Sequence, residues 1–213
     1  VKRAILIALA AAAVVCAQQK KAARPKLPNE EWVQLFNGKD LTGWVKVGNE
    51  KWEVEDGVIH GQGITKEYGY LMTEKKYKDF EMHLRFKCEA DGNSGVFFHV
   101  DFKPGTPNVS QGLQFEIDRT LGHHTGGVYG DGRQWIVWPA PENELVIKPD
   151  DWNDMLLIVR GNRYISRVNG VLMVDFTDPA PRSFDGHIAL QLHSGGLGNM
   201  KFKDIFIRDL SQR

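Results

Sequence analysis

Apolar and polar residues alternate with a period of two along most of this chain. In Phe80-Glu81-Met82-His83-Leu84-Arg85-Phe86-Lys87 the alternation is unbroken. Phe80, Met82, Leu84 and Phe86 fall on one face of a strand, and Glu81, His83, Arg85 and Lys87 on the other. The stretch Gln111-Gly112-Leu113-Gln114-Phe115-Glu116-Ile117-Asp118 repeats the pattern. Here Leu113, Phe115 and Ile117 form the apolar face, and Gln114, Glu116 and Asp118 the polar one. Two further stretches, 95–100 and 188–193, are the best candidates to lie beside it.

Turn residues punctuate these runs. Asp56-Gly57, between Trp52-Glu53-Val54-Glu55 and Val58-Ile59-His60, marks a hairpin, and Asn169-Gly170 before Val171 marks another with a type I′ turn. Asn37-Gly38 closes a short strand from Trp32 to Phe36, and Tyr70-Leu71-Met72 adds one more. Asp91 to Gly95 turns the chain into the strand that ends at Val100. Strands resume at 152–160, 163–168, 171–174, 186–193 and 201–210, the last with an irregularity, a candidate bulge, at Lys203-Asp204-Ile205. No segment holds a 3.6-residue period over twelve positions, and no repeat is present. About a dozen short strands imply two packed antiparallel sheets, a jelly-roll β-sandwich. The exception is 120–150, which is long, rich in glycine and aromatic. Loops of that length in a compact domain are functional or disordered, and Tyr129, Trp135 and Trp138 favour an ordered, functional one.

The chain's start changes the picture. Lys2 and Arg3 precede an almost uninterrupted apolar run from Ala4 to Ala17, which is short for a membrane span. With small residues around Cys16-Ala17, residues 1–17 read as a secretory signal peptide, giving a periplasmic or extracellular protein. Val14 and Val15 fit a lipid-attachment signal at Cys16 poorly. Residues 18–28 read as a linker, and 29–213 as one domain. Cleavage after Ala17 leaves 196 residues, room for a sizeable core, and a formal net charge of −2. That balance gives no sign of a nucleic-acid partner, which would favour a basic surplus. No transmembrane segment is expected after signal removal. Cys88 is then the sole cysteine and reads as a buried structural thiol.

The candidate chemistry lies on strand faces. His99, Gln114, Glu116, Asp118, Gln191 and His193 are polar groups on the three strands expected to be adjacent. Amides and carboxylates take paired hydrogen bonds from sugar hydroxyls, and Tyr129, Trp135 and Trp138 offer stacking surfaces. Glu116 and His193 have the reach and titration range for proton transfer. Glu116 as a plain solvated carboxylate, and Asp118 as a turn cap, are the competing readings. His123-His124 could gate the site, ligate a metal or do neither. His99, Glu116, Asp118 and His193 together would make a mixed nitrogen and oxygen site for a divalent metal, although no metal-binding motif supports one. The glycines at 126–132 precede no helix, so they make no phosphate loop.

These same residues carry a family resemblance. Leu35-Phe36-Asn37-Gly38-Lys39-Asp40-Leu41-Thr42-Gly43-Trp44 is followed by Trp52 to Ile59, Phe80-Glu81 and Gly92-Asn93-Ser94-Gly95-Val96-Phe97-Phe98. Then come Gly112 to Asp118, Thr125 to Tyr129, Trp152-Asn153, Val168-Asn169-Gly170, Gly186 to His193 and Phe202 to Ile205. In order and spacing this resembles the 3-keto-disaccharide hydrolase family over about residues 30–210. The resemblance implies a concanavalin-like or laminarinase-like sandwich that cleaves 3-keto-glycosides, with a small carbohydrate as its partner. It departs at His99, where many members carry Arg, and at Gln114 and Glu116, where acid and amide are exchanged. The chemistry it implies is removal of the C2 proton, made acidic by the C3 ketone, and loss of the C1 aglycone. Glu116 or His193 would be the base. Asp118, His99 or a metal would hold the enolate oxygen, with positive charge from Arg133. Gln114, Gln191, Tyr129, His124, Trp135 and Trp138 would hold the sugar. A non-catalytic sugar-binding module is the alternative.

Overall fold

A computed structural model describes residues 32–66, 69–90, 92–103, 109–193 and 195–211. The expected signal peptide with Cys16 and the linker lie outside these residues. No helix among the described residues is long and apolar enough to cross a membrane.

Among the described residues fifteen strands, numbered in chain order, form two antiparallel sheets. One sheet comprises β3 (Lys51–Glu55), β4 (Val58–Thr65), β6 (Phe80–Cys88), β11 (Asn153–Arg160), β12 (Arg163–Val168), β13 (Val171–Thr177) and β15 (Gly196–Asp209). Its order is β13-β12-β11-β6-β15-β4-β3, with β1 (Val33–Gln34) also on β15. The other sheet comprises β2 (Trp44–Gly48), β5 (Gly69–Tyr77), β7 (Asn93–Val100), β8 (Leu113–Asp118), β9 (Val128–Gly130), β10 (Gln134–Val137) and β14 (Gly186–Leu192). Its order is β10-β9-β8-β7-β14-β5-β2. The jelly-roll class read from the sequence is the observed architecture.

The alternation decides which side chains fill the space between the sheets. Along β6 every second residue is buried, as its sequence predicts. Phe80, Phe86, Phe98, Phe115, Tyr164 and Phe202 are fully buried there. Removing each such side chain from water contributes about 1.5–3 kcal/mol. Cys88 joins this core, and burial pushes its thiol up to about 12, which makes it inert.

Local turn chemistry is borne out. Asp56 and Gly57 have φ of 51° and 76°, and Asn169 and Gly170 have 50° and 88°, the paired positive values that a type I′ hairpin requires. The irregularity expected in the last strand is a register shift on β6 between Lys203 and Phe206, with Asp204 at φ 53°. Residues 120–150 are ordered: β9 and β10 extend the second sheet beyond β8, and one short helix, α1 (Pro141–Glu144), follows.

One local feature departs from simple alternation. β14 pairs His187 with Val100 but Ala189 with Phe97, so the register shifts by one residue, and His99 has φ 53°. The extra residue puts Val100, rather than His99, beside Phe97 in an apolar cluster with Tyr70 and Ala189.

Candidate active site

The register of three neighbouring strands assembles the site on the outer face of the second sheet. β8 pairs with β7 so that Asp118 faces Asn93, Glu116 faces Gly95 and Gln114 faces Phe97. β8 pairs with β9 so that Gln114 faces Tyr129, and Tyr129 in turn faces Trp135 on β10. On the far side of β7, Ala189 lies on Phe97 and Leu190 on Val96, which sets Gln191 beside Gly95. Gln191 is itself paired with Tyr70 on β5. Opposed residues of an antiparallel pair share a face, so these groups line one surface.

That surface is not a solvated sheet face. Gln114, Glu116 and Asp118 are 4%, 4% and 7% exposed. This rules out the solvated-carboxylate reading of Glu116. Its Oε2 accepts a hydrogen bond from Gln114 Nε2 at 2.7 Å, and its Oε1 accepts one from Asn93 Nδ2 at 2.9 Å. The same Asn93 nitrogen donates to Asp118 Oδ2 at 2.8 Å. One NH2 group thus bridges the two carboxyls.

Burial raises the Glu116 carboxyl from its ordinary value to about 8; the Asn93 hydrogen bond opposes the shift and the nearby Asp118 charge adds to it. Desolvation dominates because a carboxylate loses more hydration on burial than two amide donors restore. At neutral pH the group is mostly protonated.

Asp118 has two roles. Its Oδ1 accepts the backbone N–H of Thr120 at 2.6 Å, the turn-capping function weighed above. Its Oδ2 lies 3.1 Å from His123 Nδ1. A carboxylate on Nδ1 fixes the imidazole tautomer and leaves Nε2 able to accept a proton. The half-exposed His123 sits on a turn held from behind by Glu144. That carboxylate is 2% exposed and accepts the N–H groups of Gly122 at 2.9 Å and His124 at 3.1 Å.

An aromatic wall flanks the polar row. Tyr129 and Trp135 meet edge to face at 5.5 Å. His124 packs edge-on to Trp135 at 4.8 Å and stacks on Trp138 at 5.5 Å. Trp135 and Trp138 stay 36% and 53% exposed, which leaves aromatic surface within reach of a ligand. On the opposite flank Tyr70, packed on Phe97 and Phe102, makes an apolar wall.

The expected residues are therefore not all together. Glu116, Asp118, Gln114, Gln191, Tyr129, Trp135, Trp138 and His124 share the surface. His193 follows the end of β14; its backbone N–H donates to Asn93 O at 3.4 Å and its side chain is exposed. His99 does not join them. The β7 bulge withdraws its ring, and Nε2 bonds Lys78 O at 2.9 Å. Burial lowers its pKa, keeping it neutral. Arg133 is likewise turned away, forking onto both oxygens of the fully buried Asp178. With His99 withdrawn, His99, Glu116, Asp118 and His193 do not form a ligand cluster. Among the described residues the group of three or more candidate ligands within 4.8 Å is Glu53, Glu55 and His60, on the other sheet.

Three residues here were not singled out from the sequence. Asn93 lies inside a turn signal, His123 has a candidate gating or metal role in the sequence but none in proton transfer, and Glu144 lies in a segment without periodicity. Their importance rests on contacts 5 to 25 positions apart in the chain.

Comparison with known proteins places the chain in a fold class and a family. A glycosyl hydrolase candidate from Parabacteroides distasonis, solved by crystallography, has the same fold: TM-score 0.67, 25% identity, 86% of this chain and 95% of that one covered. A Bacillus subtilis protein with a galectin-like fold superposes with TM-score 0.66 at 15% identity, covering 84% and 94% of the two chains. The fold is thus a jelly-roll sandwich of the galectin-like and glycosyl hydrolase type. The sequence profile of the 3-keto-alpha-glucoside-1,2-lyase-like domain matches residues 31–208, and the chain belongs to that family. A 3-keto-disaccharide hydrolase of Bacteroides thetaiotaomicron is 32% identical over 77 residues. That match covers 32% of this chain and 27% of the relative, so the chain spans only about a quarter of the relative's length.

Proposed function

We propose that this protein cleaves 3-keto-glycosides by elimination across C1 and C2, followed by addition of water. The observation that carries the reading is the Glu116 carboxyl, buried yet bounded by an open aromatic wall, with its pKa raised to about 8. Such a group is a proton donor at neutral pH.

The ketone at C3 acidifies the C2 proton because the resulting carbanion delocalises onto oxygen. His123 Nε2, held in tautomer by Asp118, takes that proton. The C2 electron pair forms a C1–C2 double bond as the C1–O bond breaks, and Glu116 gives its proton to the departing oxygen. The products are an alcohol and an unsaturated 3-keto sugar. In the return half, Glu116 carboxylate takes a proton from water attacking C1, and protonated His123 returns its proton to C2. Both groups are restored, and the sum is hydrolysis. His193, whose backbone N–H bonds Asn93 O and whose side chain is exposed, would donate to the developing enolate oxygen. Arg133 is not used, because Asp178 already holds its charge.

The test is to incubate the protein with a 3-keto-glucoside in deuterated water and follow the released alcohol. Release with deuterium at C2 of the product supports the reading. Deuterium enters by exchange at the half-exposed protonated His123, so release that yields neither C2 deuterium nor the unsaturated 3-keto sugar defeats the elimination route, and no release leaves the alternative of a sugar-binding module. The galectin-like sandwich and the exposed tryptophans favour that second reading if turnover is absent.

A further inference from the structure

The outer face of the first sheet carries a group that takes no part in the proton transfers of the second. On the β3–β4 hairpin Trp52 and Ile59 fill the core, so Glu53, Glu55 and His60 point outward. The pairing sets Glu53 directly opposite His60, and Glu55 follows Glu53 on the same face. One ligand atom from each of the three lies within 4.8 Å of the other two.

His60 is not an ordinary surface histidine. It is only 8% exposed, and both of its ring nitrogens face oxygen. Nδ1 lies 2.9 Å from Glu55 Oε2, and Nε2 lies 2.8 Å from Asn199 Oδ1 on β15. A neutral imidazole has one N–H and can donate to only one of them. With that hydrogen on Nε2, bonded to Asn199, the Nδ1 lone pair is aimed at a carboxylate oxygen. Two acceptors so placed call for a cation. The pattern is that of a ligand histidine, in which an amide oxygen outside the cluster holds one nitrogen and presents the other. The Glu53 carboxyl is prepared as well. Lys51 and Gln62 both bond its Oε1, and Lys51 holds it below the ordinary carboxylate value, so it is ionised at neutral pH.

We propose that Glu53, Glu55 and His60 form a binding site for a divalent cation of the zinc type. One imidazole nitrogen with two carboxylates suits zinc, whereas calcium and magnesium prefer sets made of oxygen alone. Zinc bonds of about 2.0–2.1 Å hold tetrahedral ligand atoms about 3.3 Å apart. The partly exposed side chains of Glu53 and Glu55 can close to that spacing. The ion replaces the ammonium of Lys51, whose side chain is 60% exposed and can swing into water. It ties the edge strand β3 to β4 and, through Asn199, to β15. This site and the Glu116 surface lie on opposite outer faces of the sandwich, so neither depends on what the other does.

The experiment titrates untagged, chelator-stripped protein with zinc, and separately with calcium, by calorimetry, while NMR follows the His60 ring. One zinc per chain should bind, shift the His60 Nδ1 resonance and raise Tm as zinc concentration increases. Calcium should do neither. Glu55→Gln, at a half-exposed side chain, and Asn199→Ala should each weaken zinc binding about tenfold or more. Lys51→Met should tighten it about threefold, because the competing ammonium is gone; an ion pair with only a structural role would show no such gain. Thermal melting confirms that each variant is folded. Absence of saturable zinc uptake would overturn the site and leave His60 as a protonated partner of Glu55. Uptake that leaves the His60 ring unshifted, calcium binding as tight as zinc, or unchanged zinc affinity in folded Glu55→Gln would overturn it equally.

Discussion

Asp118 Oδ2 and His123 Nδ1 lie 3.1 Å apart, and the same oxygen takes a hydrogen bond from the amide that also holds Glu116. An imidazole and a buried carboxyl are thereby tied to one pivot, Asn93. The arrangement couples a proton acceptor to a proton donor across a distance that the neighbouring strands of one sheet fix. It also sets the order in which variants should fail.

Glu116→Gln removes the transferable proton while keeping the size of the side chain. Release of alcohol from a 3-keto-glucoside should fall by about 10²–10⁴ in kcat, with KM changed far less. Steady-state kinetics on a substrate with a poor leaving group checks this. A highly acidic leaving group, which needs no proton, should recover much of the rate.

The raised carboxyl pKa gives the reaction an alkaline limit. Glu116 is the active acid below about 8, so kcat should decline as pH rises through that value. Asn93 opposes the rise by hydrogen bonding to the ionised form. Asn93→Ala should therefore move the alkaline limb upward in pH, in addition to lowering the rate. A pH profile of the two proteins measures both effects.

The same group makes stability depend on pH. Its folded pKa lies above its ordinary value of 4.5, so the unfolded chain gives up this proton first as pH rises. The contribution is fully present below about 4.5, is lost progressively up to about 8, and then levels off. Its full size is on the order of 5 kcal/mol. Urea unfolding across that window should show a downward slope that Glu116→Gln flattens. The slope is the readout, because the substituted amide must also re-pair with two donors.

His123→Ala should cost about 10²–10⁴ in kcat with little effect on melting, since this side chain is half exposed and its ion pair is with Asp118. Glu144→Gln, by contrast, alters the buried acceptor behind the turn, and should lower both Tm and kcat.

Arg133 and Asp178 illustrate a different dependence. Asp178→Ala leaves the guanidinium largely buried without its counter-charge, and should destabilise the fold by about 3–5 kcal/mol. Denaturant titration checks this. Sugar binding by the protein that remains folded should change little.

Much of this protein is legible in local pattern. The period of two in Phe80 to Lys87 and in Leu113 to Asp118 settles the strand class and which residues enter the core, because side-chain direction along a strand depends only on position parity. Asp56-Gly57 and Asn169-Gly170 mark their own hairpins, since few residue pairs tolerate two successive positive φ values. The polar face of β8 and the aromatic stretch after it point to one shared surface. Tertiary structure alone decided that this face is buried, that Asn93 bridges Glu116 and Asp118, and that His123 meets Asp118. It also decided that His99, in phase with Gly95 and Phe97 by simple counting, leaves the site. One inserted residue at a bulge reverses parity beyond it, and whether a strand bulges depends on how its neighbours pair with it. Register and burial are properties of several segments together, so no single stretch of this sequence carries them.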